Sequence, residues 1–192
     1  MNLFDEFLEK YPPDSNLVKP TDEVLEGFSK ILPEELVDFW KEYGFGNYGG
    51  GRIKVINPLD YMESLYTWLG KEDFSKIPIL VTAFGDIFYY RILSEEEDDV
   101  CLLDVHYRQI NVCADSFEDF FEDFVVDDEI MEEILKEDLF VEATQTKGAL
   151  KSNEIFCFVP ALILGGSEEV ENLDKAEADV HQLVLFELGQ NG

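Results

Sequence analysis

IPILVTAFGDIFYYRILSEEEDDVCLLDVHYRQINVC, residues 77–113, decides the fold. Ile77 to Thr82, Ile87 to Leu93 and Val100 to Val105 are short β-branched, aliphatic or aromatic runs, and Tyr107 to Cys113 reads as a fourth. Runs of that length bounded by turn residues are strands. Gly85-Asp86 makes a tight hairpin turn between the first two, and the acidic stretch Ser94 to Asp99 separates the second from the third. No crossover helix fits between them, so an antiparallel meander is expected rather than βαβ units.

Before this stretch the periodicity is helical. Leu3, Phe4, Phe7 and Leu8 share one face of an amphipathic helix over Met1 to Lys10, which Pro12-Pro13 ends. Thr21 followed by acids suits a second start. Pro33 with Glu34 and Glu35 opens a third helix carrying Leu36, Phe39, Trp40 and Tyr43, and Gly44 supplies a left-handed stop. Residues 44–51, GFGNYGGG, read as a glycine-rich turn, and Arg52 to Ile56 as a strand. Asn57-Pro58 caps another helix, with Met62, Leu65, Tyr66 and Leu69 as its stripe.

After Ala114 the character changes. Phe117, Phe120, Phe121 and Phe124 fall at i, i+3, i+4 and i+7, and Ile130, Met131, Ile134 and Leu135 repeat the pattern. Leu139 to Thr146 reads as a helix ended by Gly148, Ile155 to Val159 as a buried strand closed by Pro160, and His181 to Leu188 as a last helix or strand, with helix favoured. The expected class is α+β: an antiparallel sheet flanked by helices over residues 1–113, and a mostly helical lobe over 114–192 packed on it.

Composition narrows the function. Asp and Glu number 43 against 14 Lys and Arg, a formal charge of -29, while 46% of residues are hydrophobic. The apolar content supports a packed core. The charge repels nucleic acid and anionic membrane surfaces and attracts basic proteins. The same excess keeps a chain with 16 Phe soluble, so charge alone leaves solvation and partner binding both open. The acidic N-terminus is no signal peptide, and no apolar run reaches the ~18 residues a span needs, so a cytoplasmic location is expected. Cys101, Cys113 and Cys157 form no C-x-x-C pair; Cys101 and Cys157 lie in apolar runs and read as small core residues.

Gly44-x-Gly46-x-x-Gly49 matches the letters of a dinucleotide fingerprint, but it follows a helix and enters a strand, the reverse of the functional context. Asp104 and His106 stand two apart, which strand alternation explains; an enzyme reading would need them to converge with Asp86 in one pocket. Glu95, Glu96, Glu97, Asp98 and Asp99 lack the alternation and mid-loop glycine of a calcium loop. No catalytic residue, metal site or cofactor is assigned.

The segment Asp115 to Asp138 carries twelve carboxylates against the single Lys136. If the Phe stripe is buried, the acids crowd the outer face. Glu118 with Glu122 and Asp119 with Asp123 oppose the helix by a few tenths of a kcal/mol each. Such a face can imitate a phosphate backbone. Partner contact is expected at Glu118, Asp119, Glu122, Asp123, Asp127, Asp128 and Glu129, and at Glu95, Glu96 and Glu97.

LPEELVDFWKEYGFG (32–46), GGRIKVINPLDY (50–61), IPILVTAFGDIFYY (77–90) and NEIFCFVPALILGG (153–166) occur in this order. Together they resemble the GAD-like domain family joined to its usual C-terminal immunity-type domain, a pair similar to proteins that protect type VI secretion bacteria from a DNase effector. The resemblance implies a cytoplasmic antidote that sequesters a cognate toxin, often a nuclease, and it carries no catalytic residue to transfer. The other function class in play is a regulatory or scaffold module binding a different basic protein.

Overall fold

The structure, a computed structural model, describes residues 2–190. Its centre is a six-stranded antiparallel meander, β1 (Gly46–Tyr48), β2 (Ile53–Val55), β3 (Lys76–Thr82), β4 (Ile87–Ile92), β5 (Asp98–Asp104) and β6 (Gln109–Ala114), paired in chain order. The class is therefore α+β. At the β3–β4 turn Gly85 has φ +95°, which strains any other residue, and a Cβ there would lie 2.7 Å from Ile155 Cδ1, so that side chain would have to shift.

Helices cover both faces. On one, α1 (Asp5–Lys10), α2 (Asp22–Phe28) and α3 (Glu34–Glu42) pack Phe4, Phe7, Phe28, Phe39 and Trp40 over Ile53, Leu80, Phe88, Val100 and Leu102. On the other, α4 (Pro58–Leu69) and α8 (Ala178–Gln190) bury Leu65 and Leu185 on Val81, Ile87, Tyr89, Cys101 and Leu103. Asn57 caps α4 through Leu59 N, as its Asn-Pro start predicts.

The chain after Ala114 joins all of this. A single turn, α5 (Phe117–Asp119), runs on as a π-helical stretch, Phe120–Phe124, and closes the first face. Next come α6 (Asp128–Ile134) and α7 (Glu137–Lys147). β7 (Glu154–Phe158) pairs with β8 (Leu173–Glu177), and with α7 they enclose Phe84, Phe140, Phe156 and Phe158 in a third cluster at the β3–β4 turn.

Five expectations need correction. Residues 46–48 of the glycine-rich stretch are a buried strand, followed by a 3-10 turn. The arm 11–18 crosses them so closely that a Cβ at Gly46 would meet Leu17 at 2.8 Å. Phe117–Phe124 is mainly π-helical: Val125 N bonds Phe120 O at 2.9 Å, and the wider turn lets three rings bury together. β8 lies where no strand is expected, because LDKAE is polar and its one partner is β7. The fourth sheet strand begins at Gln109 rather than Tyr107, since residues 105–108 form the turn. The first helix starts at Asp5; Met1, its expected start, lies outside the described residues, as do Asn191 and Gly192.

Candidate functional site

The acidic segment rests on an aromatic platform. Phe121, 1% exposed, has its ring centroid 4.7 Å from Phe4, 5.6 Å from Phe7 and 5.0 Å from both Phe117 and Phe120. Each buried ring contributes roughly 2–3 kcal/mol, enough to outweigh the crowding of the acids above it. With the rings inward, Glu118, Asp119, Glu122 and Asp123 are all exposed on the outside.

Local bonds fix where this ridge starts. Ser116 accepts from Asp119 N at 3.0 Å and caps the first turn. Phe117 N donates to Asp98 Oδ1 at 2.8 Å, and Tyr90 Oη donates to Asp98 Oδ2 at 2.9 Å. Asp98 thereby ties the end of the 94–97 loop to the start of the ridge, and Glu95, Glu96 and Glu97 are exposed in that loop. The two acidic stretches, separate in sequence, are neighbours.

The remaining carboxylates have local work. Asp127 caps α6, accepting from Ile130 N at 2.9 Å. Asp128 pairs with Lys10 at 2.9 Å, while Lys10 also donates to Val126 O. Glu129 is exposed in the first turn of α6. Glu137 receives the Arg52 guanidinium, whose Nε lies 2.8 Å from Oε2, and that guanidinium stacks 4.7 Å over Phe140. Among the described residues, no lysine or arginine forms an ion pair with Glu118, Asp119, Glu122, Asp123 or Glu129. Lys10, Arg52, Asp128, Glu132 and Glu137 line a cleft of about 300 Å³.

Asp86, Asp104 and His106 lie together at the β3–β4 and β5–β6 turns, without forming an acid–base dyad. Asp104 Oδ1 accepts the amides of His106 and Tyr107, each at 2.9 Å. His106 is buried, and its Nε2–H donates to Phe84 O at 2.7 Å. Burial lowers the histidine pKa, opposed by the Phe84 bond and Asp104. A histidine kept neutral this way withdraws its stabilisation as pH falls below its ordinary 6.5, because only the unfolded chain takes up the proton. Asp86 is 3% exposed and accepts from Val105 N at 2.9 Å; burial, then Asp104, push its pKa up to about 8. These groups hold turns. No cluster of three or more His, Cys, Asp or Glu able to hold a metal occurs among the described residues.

A buried joint has only a faint sequence signal, the lysine inside Ile53-Lys54-Val55. Lys54 is 0% exposed; its ammonium donates to Asn47 Oδ1 at 2.7 Å, and Asn47 Nδ2 donates to Leu150 O at 2.9 Å. Burial lowers its pKa to about 8, against the pull of Asp14 and Glu154. The joint fastens residue 150 to β1 and β2.

Two family models match. One, described as the GAD-like domain, spans residues 2–98, and the other, described as T6SS immunity protein Tdi1, C-terminal, spans residues 114–189. No curated protein matches. Among solved structures the chain is similar to the crystal structure of Atu4351 from Agrobacterium tumefaciens, with TM-score 0.74 and 16% identity, covering 95% of this chain and 88% of that one. At that identity the likeness is one of fold.

Proposed function

Because this chain belongs to the GAD-like domain family, we propose that it is a type VI secretion immunity protein that binds and neutralises a cognate secreted bacterial toxin. The observation that carries this reading is a coincidence of place. The exposed ridge of Glu118, Asp119, Glu122 and Asp123 falls inside the 114–189 segment that resembles an immunity protein's C-terminal domain. In this reading residues 1–113 and 114–192 are its two domains.

The finer reading is that the toxin is a basic nuclease and that the ridge covers its functional surface. A nuclease must hold a polyanion, so its substrate groove is lined with Lys and Arg. A fixed row of carboxylates competes for the same groove. The net charge of -29 speeds the encounter and disfavours DNA and RNA as direct ligands. No helix among the described residues is long and apolar enough to cross a membrane, and we place the chain in the cytoplasm, where an antidote meets an incoming effector.

Affinity capture of the tagged full chain from its native cells, at low and at high salt, tests this. Near-stoichiometric recovery of one basic toxin that is released as salt rises is the expected result. Recovery of a housekeeping protein from cells with no toxin gene would replace the antidote with the regulatory module. Capture of a toxin whose activity is undiminished in the complex would remove neutralisation.

A further inference from the structure

The meander has two edges, and the fold treats them differently. The outer side of β1 is covered by the N-terminal arm. Val18 and Phe45 exchange both amide bonds at 2.8 Å, Asp14 N donates to Asn47 O at 3.0 Å, and Gly49 N donates to Pro12 O at 2.8 Å. β6, at the other end of the strand order, has only β5 beside it among the described strands. An edge left open presents unpaired amides and carbonyls to any extended chain, and natural edges are blunted with lysine, proline or a bulge. Gln109 to Ala114 contains no lysine and no proline; a one-residue register shift at Cys113 leaves Gln109 to Val112 in regular pairing.

On one face of this strand the side chains Ile110 and Val112 are apolar and exposed. Ile110 pairs with Leu103 and Val112 with Cys101, so both extend the face that α4 and α8 cover further in. Ile110 is 50% exposed and Val112 53%. The strand is also held rigid at both ends. At its start Arg108 stacks 4.7 Å over Trp68, and the Asp104 carboxylate fixes the preceding turn. At its end the Ser116 cap and the Asp98 bond hold the first turn of the ridge. A template fixed in advance loses little conformational freedom of its own on binding.

We propose that the outer edge of β6 receives an extended segment of the toxin as a seventh strand, a segment carrying Lys or Arg beside its apolar residues. This rests on the antidote reading and adds the surface and the shape of what binds it. Charge selects the occupant. Asp115 directly follows β6 and Glu118 begins the ridge, so a strand laid on Gln109–Val112 runs alongside carboxylates. A second copy of this chain would bring another charge of -29 to the same place and is repelled. Backbone pairing supplies affinity, and Ile110 and Val112 supply side-chain selectivity, the division of labour of strand addition.

Amide hydrogen exchange on the full chain, free and in complex with the purified toxin that it captures, tests this directly. Outward amides within Gln109–Val112 slow at least tenfold on binding. The double variant Ile110→Lys/Val112→Lys loses at least a hundredfold in affinity, whereas the same two charges placed at exposed Leu59 and Val141 leave it within threefold. A complex in which the β6 amides exchange as in the free chain would overturn the edge while leaving the antidote standing. Failure to bind any toxin overturns both. A free chain that already dimerises with β6 protected makes a second copy the occupant and overturns the proposal.

Discussion

Glu118, Asp119, Glu122 and Asp123 stand in solvent above the phenylalanine platform, while Asp86 is sealed between two turns. The same functional group thus serves opposite ends in one molecule. On the ridge, water screens the charge, so crowding costs a few tenths of a kcal/mol per pair and the negative field points outward. At Asp86 burial penalises the charge and lifts its pKa to about 8, so the carboxyl acts as a backbone acceptor that holds Val105 N. Exposed acids project a field; a buried acid fixes a turn. The two sets should therefore respond to different perturbations.

The strongest way to break the comparison is to remove the platform. Phe121→Ala is expected to destabilise the fold by about 3–5 kcal/mol, read by denaturant unfolding, because four rings lose a neighbour. A loss below about 1 kcal/mol would mean that the ridge does not rest on those rings. Reversing Glu118, Asp119, Glu122 and Asp123 to lysine separates binding from folding. Toxin affinity should fall about a hundredfold, near 2.8 kcal/mol, in titration at low salt. Unchanged affinity would move the contact elsewhere.

Asp86 sharpens the contrast through pH. Its folded pKa lies above the unfolded value, so the folded state holds a proton that the unfolded chain releases. Its effect on stability is absent below about pH 4 and grows more unfavourable as pH rises to about 8. Asp86→Asn should flatten this part of the profile, gaining at least about 1.4 kcal/mol over wild type at pH 8 relative to pH 4. Parallel profiles would mean that Asp86 is ionised in the fold. The smallest effect is the ridge reversal on stability alone: within a few tenths of a kcal/mol of wild type in the same unfolding assay, because four lysines repel one another at i, i+4 as the four acids do.

Much of this architecture is legible from pattern. Alternating and β-branched runs locate β3, β4 and β5, and Asn57-Pro58 locates the start of α4. Each signal is local, a property of a few adjacent residues. The strands that escape are those whose reason lies elsewhere in the chain: β1 forms under an arm thirty residues upstream, and β8 is a polar strand held by β7. The π-helical turn escapes because the i, i+3, i+4 spacing of four Phe fits an α-helix equally well, and only ring packing chooses between them.

The ridge divides in the same way. The sequence by itself determined that Glu118, Asp119, Glu122 and Asp123 face outward, since burying the Phe stripe leaves them no other direction. It also determined the sign and size of the net charge, because charge is additive along a chain. Tertiary structure alone decided that Asp98 joins the 95–97 loop to the ridge, that Lys54 is sealed in a joint, and that β6 pairs with β5 alone among the described strands while β1 is covered. Those are contacts between distant segments, set by which surfaces remain after the core has packed, and no local pattern encodes what remains.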